Sequence, residues 1–374
     1  MRSTRTDVGT IEDLHASATR LTGLDDFGDD DYREGMGELL AAYRNEAALT
    51  PTGSKVSRAF LRAALVSRLL SEAAWRQFPE YAEVPVTRPV FVTGLPRTGT
   101  TALHRLLTAD PAHQGLELWL TEVPQPRPPR HTWESNPGYA GLQAGYEQYH
   151  EINPSLRGAH YTAADQVEEC WRLLRQSMMS VSFECLAYLP SYSRWLSAQD
   201  WTAAYRRHRR NLQLIGLHDR DRRWVLKNPS HLFALDALLA VYPDAVVIQT
   251  HRAPREVVAS VCSLTAQACE GWSELFRGEV LGGAQAQLWS RGLRRFMADR
   301  ERHDPAHFID VHYDDFVADP IRVVAGIYDR LGVRLTPAAR AAMSSLHQQR
   351  QRPGHRYHLA DFGLTPAAVD AAFA

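Results

Sequence analysis

The stretch RPVFVTGLPRTGTTALHRLL (residues 88–107) decides the fold. An apolar, β-branched run (Val90, Phe91, Val92) leads into a loop holding Gly94 and Gly99, and the residues after it repeat their apolar positions at helical spacing. Strand, glycine loop, helix is the setting of a phosphate-binding loop, and Gly94 to Gly99 keeps the G-x-x-x-x-G spacing. The position that should be lysine is Thr100, and the cation sits inside the loop at Arg97. Such a loop attracts anions through unpaired backbone N–H groups and the dipole of the following helix. Thr98, Thr100 and Thr101 add hydroxyls, and Arg97 adds a planar fork of donors. An ordinary glycine turn accounts for the glycines but not for this density of donors.

Strand and helix signals alternate on both sides of the loop. Residues 10–80 read as helices, with Phe60, Leu61, Ala64, Leu65 and Leu69 on one face. Short apolar runs at 224–226 and 245–250 flank a helix near 230–241, and a further helix starts at Pro254. A helix at about 282–302 leads to a strand at 307–313, then to helices around 320–332 and 336–347. The pattern predicts an α/β fold with a central parallel sheet flanked by helices. The segment 133–216 reads as mostly helical and rich in aromatic residues. The proline-rich PQPRPPR (124–130) is too short to link domains. The expectation is therefore one domain over 1–374, with a helical N-terminal region (1–87) and a helical cap at 133–216.

Bulk composition narrows the function. Of 374 residues, 44% are hydrophobic and 23% charged, which suits a globular chain with a real core, and the formal net charge is −1. No global field favours nucleic acid as a partner. No run of about 18 apolar residues predicts a membrane span, and the first residues lack a secretory pattern, so a cytoplasmic protein is expected. Cys170, Cys185, Cys262 and Cys269 form no C-x-x-C pair, fall in helix-like segments and read as buried free thiols. No metal-ligand spacing occurs. The charge run YRRHRRN (205–211) reads as a solvated helix face.

The loop GLPRTGTT resembles the 5′-phosphosulfate loop of sulfotransferases that use 3′-phosphoadenosine-5′-phosphosulfate (PAPS), in which a basic residue precedes glycine and two hydroxyl residues. Arg97 matches the variant of tyrosylprotein sulfotransferases and many bacterial relatives. A second segment agrees: VVIQTHRAPREVVASV (246–261) places Arg252 at a strand end and Ser260 eight residues later, the spacing of the family's 3′-phosphate site. An arginine there clamps a phosphate dianion by charge-assisted bonds and a serine adds one more. VLKNPSHL (225–232) resembles the segment that brings a lysine, here Lys227, to the sulfuryl centre; FIDVHYDDFVADP (308–320) resembles the family's late strand. The broad bacterial group is the better likeness, and HLADFGLT (358–365) shares its flavour.

The resemblance implies a P-loop-like fold and metal-independent, in-line transfer of a sulfuryl group from PAPS to a hydroxyl, leaving adenosine 3′,5′-bisphosphate. Pro96, Arg97, Thr98, Gly99, Thr100, Thr101, Arg252 and Ser260 would hold the donor, with Arg97 and Lys227 stabilising charge on the leaving oxygen. A late basic segment, RPGHRYH (352–358), offers Arg352, His355 or Arg356 to the cofactor. Glu117, about where the tyrosylprotein enzymes place a glutamate, is the first candidate general base. His231 has the unperturbed pKa of a base near neutrality and is the second; Glu122 is the third. The aromatic middle fits a small, partly apolar hydroxyl acceptor, and core packing explains the same aromatics. Many relatives pair, so a homodimer is compatible with the resemblance. The rival readings are a P-loop kinase using ATP and Mg²⁺, which the missing loop lysine opposes, and a non-catalytic nucleotide-binding protein.

Overall fold

The structure, a computed structural model, describes residues 7–152, 162–348 and 357–374. Its centre is a five-stranded parallel sheet built from β1 (Val90–Gly94), β2 (His113–Gln114), β3 (Arg223–Lys227), β4 (Val246–His251) and β5 (Phe308–His312). The strands lie in the order β2-β3-β1-β4-β5, and Val90 of β1 registers with Val225 on one side and Val246 on the other. β1 is buried along its whole length, as a central parallel strand must be when helices cover both faces.

Alternation along the strands feeds two cores. Val90, Val92, Val225, Val246 and Ile248 point to one face, which is closed by Leu103, Leu106 and Leu107 of the helix Thr100–Thr108 and by Ile327 and Tyr328 of the helix Pro320–Leu331. Phe91, Trp224, Leu226 and Val247 point to the other, where the N-terminal helices Arg33–Asn45 and Pro51–Gln77 and the helix Thr202–Ile215 contribute to a larger apolar cluster. After β1 the chain moves to β2 and β3 on one side, then crosses to β4 and β5 on the other. The crossovers from β1 and β4 therefore diverge at the carboxyl ends of these neighbours and leave a crevice there, the place where open α/β sheets bind ligands.

Several elements differ from the sequence expectation. The two-residue β2 has no pattern of its own and was not foreseen; pairing with β3 through His113 and Arg223 makes it a strand. The late strand ends at His312, and Tyr313–Ala318 coils into a helix. Within 133–216, helices cover Pro137–Ile152, Trp171–Leu174, Pro190–Ser197 and Thr202–Ile215, and the described residues between them are largely irregular. Cys170, Cys185 and Cys269 lie outside helices, Cys269 just past the end of Pro254–Ala268; all four cysteines are free thiols, and Cys185 alone among them is only partly buried. No helix among the described residues is long and apolar enough to cross a membrane.

The run 205–211 is not a solvated face. Arg206 and Arg209 reach solvent, but Tyr205, Arg207, His208 and Asn211 turn inward. Arg207 pairs with Glu72 at 2.7 Å and donates to Gln176 Oε1 at 2.9 Å, so its charge is compensated inside. His208 and His104 are fully buried; His208 Nδ1 lies 2.7 Å from the Tyr242 hydroxyl and His104 Nε2 donates to the Val225 carbonyl at 3.0 Å. Burial pushes both imidazoles down, to about 3, and Lys227 adds to the effect on His104.

The sign of the pH effect follows. Below about pH 6.5 an unfolded histidine binds a proton that its buried counterpart refuses, so stability is full above that pH and declines as pH falls towards 3. Urea unfolding between pH 7.5 and 4.5 should show a falling midpoint for the wild-type protein and a shallower fall for the double variant His104→Gln/His208→Gln. A wild-type midpoint independent of pH over that range would contradict this origin.

Candidate active site

Gly94 ends β1 with φ +133°, a conformation side chains rarely adopt, and a Cβ there would lie 2.4 Å from Thr250 Oγ1 and 2.6 Å from the Thr250 carbonyl oxygen. Glycine is required because β1 and β4 meet at this point. Arg97 and Gly99 also have positive φ, +66° and +87°. These turns curl the loop 95–99 around the start of the helix Thr100–Thr108, whose N-cap, Gly99, supplies no capping side chain. The backbone N–H groups of Arg97, Thr98, Gly99, Thr100 and Thr101 find no acceptor among the described residues. That is a concave set of donors at the positive end of a helix.

The loop's side chains divide their roles differently from the expectation. Thr98 is buried, and its Oγ1 sits 2.6 Å from the Leu95 carbonyl oxygen and 2.6 Å from Thr250 Oγ1. Its hydroxyl closes the loop and is not offered to an anion; only its N–H is. Pro96 has no N–H to give and instead fixes the loop's φ. Arg97 is exposed and its Nε donates to Ser260 Oγ at 3.1 Å, while its carbonyl oxygen accepts from Arg252 Nη1 at 2.9 Å. Two segments about 160 residues apart in sequence thus form one cluster of Arg97, Arg252 and Ser260. Arg252 is further held by Glu256, 2.8 Å from its Nε, and lies over the ring of Tyr313 at 4.2 Å.

Lys227 stands at the carboxyl end of β3 and is 3% exposed, although it carries a charge. Its Nζ donates to Thr101 Oγ1 at 3.2 Å and to the Glu169 carboxylate. Glu169 was not foreseen, because nothing local marks it. It lies in an irregular segment held beside the chain at Leu116–Leu118 by a bridge between Glu117 and Val167, and beside β3 by Cys170 N donating to the Lys227 carbonyl. The pair puts a carboxylate and an ammonium against the first turn of the loop's helix.

The expected bases sit elsewhere. Glu117 stands at the N-terminus of the helix Leu118–Glu122 without capping it, and its carboxylate is taken by buried Arg127, whose Nε and Nη2 lie 3.0 and 2.9 Å away. Arg127 also grips Asp219 at 2.6 Å, and these two carboxylates hold the guanidinium protonated despite its burial. Glu122 is paired with Arg172. His231 is fully buried, with Nδ1 2.6 Å from the Tyr205 hydroxyl and its ring edge-on to Phe91; burial drives its pKa well below the ordinary value. Arg352, His355 and Arg356 lie outside the described residues.

The fold and the loop define the class, and the comparisons with known proteins agree. A sequence model of the "Sulfotransferase family" matches residues 89–337, and the chain belongs to that family. It is similar over 99% of its length to the solved structure of sulfotransferase STF1 from Mycobacterium tuberculosis H37Rv, with 59% identity, a TM-score of 0.94 and all of that chain covered. Sulfotransferase STF9 from Mycobacterium avium superposes with a TM-score of 0.89 at 27% identity, over 100% of this chain and 96% of that one. Among curated proteins it resembles the omega-hydroxy-beta-dihydromenaquinone-9 sulfotransferases Stf3 of Mycobacterium bovis and Mycobacterium tuberculosis, 27% identical over 256 residues. That alignment spans 66% of this chain and 63% of those relatives.

Because a Cβ at Gly94 meets backbone of β4 as well as a side chain, Gly94→Ala should lower stability by about 2–4 kcal/mol and disrupt the loop. Chemical denaturation checks this; an unchanged midpoint would show that the two strands do not need their close approach.

Proposed function

We propose that the chain transfers a sulfuryl group from PAPS to the hydroxyl of a partly apolar small molecule. The observation that carries the proposal is Lys227, which joins Thr101 at the mouth of the anion loop to a carboxylate, Glu169. The loop amides with no acceptor among the described residues, the Arg97 guanidinium and the Ser260 hydroxyl fit a ligand bearing phosphate and phosphosulfate groups. When bound, the donor supplies an activated sulfuryl group on a phosphate leaving group.

In this reading Arg252 and Ser260 hold the 3′-phosphate, and Arg97, bonded to Ser260 and carrying Arg252 on its carbonyl, couples that subsite to the loop. The N–H groups of Thr98 to Thr101 hold the 5′ side. Lys227 is buried, so its ammonium is worth more to an oxygen that gains negative charge than it would be in water. Glu169 accepts the proton of the acceptor hydroxyl, and the ion pair with Lys227 holds the carboxylate in place beside the loop. Glu117 and His231 are positioning groups. Thr100 Oγ1 completes the loop's polar lining.

The acceptor class follows from the aromatic residues gathered around Arg172 and Arg175, shortly after Glu169 in the chain. Trp171, Tyr146 and Phe60 are only partly buried, whereas Trp133, Tyr139, Tyr192, Trp201 and Tyr205 belong to the core. The curated relatives are named for a hydroxylated menaquinone derivative, and a long apolar alcohol is accordingly the first acceptor to try.

With PAPS and a panel of apolar alcohols, Glu169→Gln should reduce kcat by about 10²–10⁴-fold while leaving adenosine 3′,5′-bisphosphate binding intact. Lys227→Met should cost about 10²–10³-fold. Glu117→Gln should alter stability more than kcat. A Glu169→Gln enzyme of wild-type kcat, with Glu117→Gln inactive yet folded, would return the base to Glu117. No sulfate transfer to any alcohol by the wild-type chain, with ATP·Mg²⁺ turned over instead, would overturn the function.

A further inference from the structure

The sheet has a second polar end. At its amino-terminal edge, opposite the loop, a cavity of about 340 Å³ opens between the starts of β1, β2 and β3 and the segment after the helix Pro320–Leu331. Its size is that of a small-molecule site. Arg88, Arg220, Arg223 and Arg334 line it together with Asp110 and Asp221.

Neither acidic residue forms an ion pair with these arginines among the described residues. Asp110 is already engaged, accepting from the Tyr328 hydroxyl at 2.6 Å and from Ala112 N at 2.9 Å. Arg222, also at the rim, is turned to Asp219 and the His113 carbonyl. Neither Arg88 nor Arg223 has an ion-pair partner among the described residues, and Arg223 Nη1 is buried there without a hydrogen-bond partner. Each lies two residues before the registered pair Val90–Val225, so the two guanidinium groups start from the same level of neighbouring strands. Burial and the charge of Arg88 both push Arg223 down from the ordinary guanidinium range. Arg88 also holds φ +42°, a left-handed conformation unusual outside glycine, stabilised by its N–H donating to Asp244 Oδ2 at 2.6 Å.

Two guanidinium groups without ion-pair partners among the described residues, one of them with a buried Nη1 that has no acceptor there, thus line one cavity. We propose that this cavity binds a phosphate dianion, free or as the head of a small phosphate ester, between Arg88 and Arg223. A planar guanidinium pair matches tetrahedral oxyanions. Asp221 borders the remaining volume and suits a hydroxylated body. The site is separate from the donor loop: Arg223 and Lys227 are the two ends of the five-residue β3, about 13 Å apart at strand rise.

The test uses the full chain crystallised and soaked with tungstate, a heavy phosphate analogue located by anomalous scattering. Peaks are expected both in the loop and in the cavity. Arg88→Asn, which suits the left-handed backbone, and Arg223→Met should each remove the cavity peak and keep the loop peak, which also reports that the variant has folded. In solution, the protein saturated with adenosine 3′,5′-bisphosphate is titrated with inorganic phosphate and with glycerol 3-phosphate. Arg88→Asn should weaken the tighter of the two by about tenfold or more, the loss of one charge-assisted contact. Tighter binding of the ester assigns an ester ligand, and tighter binding of phosphate assigns the free ion. A wild-type cavity without tungstate, or a cavity peak that survives both substitutions, overturns the proposal whatever the loop binds.

Discussion

Gly94 lets β1 lie against Thr250 of β4, and the candidate site depends on that contact. A side chain at this point would push the strands apart. With none, Thr250 reaches both the Thr93 carbonyl, at 3.1 Å, and Thr98 Oγ1, and the loop is drawn tight over the strand ends. The same closure turns the Arg97 carbonyl towards Arg252 and the Arg97 side chain towards Ser260. A steric fact about one missing methyl group thereby sets where three polar side chains converge.

Charge placement then separates two tasks. Arg97 is exposed and Arg252 partly so, and both suit binding of a charged ligand that arrives from water. Lys227 is almost fully covered and tied to Glu169, where an ammonium is desolvated and fixed before any ligand enters. The chain contains two lysines, Lys55 and Lys227, against many arginines. A compact ammonium at the end of β3 donates to two oxygens at once without the breadth of a guanidinium fork, which is reason enough for lysine at this one buried position.

Much of this was legible in the sequence where the signal is local. The strand, loop and helix at 88–107 announce themselves by apolar run, glycine spacing and helical period, and Arg252 and Ser260 follow from one strand-to-helix junction. Lys227 is similarly at a strand end. Glu169 was hidden, because its position depends on the bridge from Val167 to Glu117, a contact between segments that share no period. β2 was hidden for the same reason: two residues carry no alternation. The run 205–211 misled in another way. Its arginines and histidine look solvated, yet Glu72, Gln176 and Tyr242 wait for them inside. Composition cannot distinguish an exposed charge from one whose partner lies far away in sequence.

The measurement that tests the central claim most directly is a calorimetric titration of the wild-type protein and Arg252→Ala with adenosine 3′,5′-bisphosphate, without metal, beside ATP with Mg²⁺. Tight, metal-independent binding of the bisphosphate that weakens in Arg252→Ala is the result expected if the loop and the Arg252–Ser260 pair form one phosphoadenosine site. Preference for ATP·Mg²⁺, or bisphosphate binding unchanged by the substitution, would contradict it.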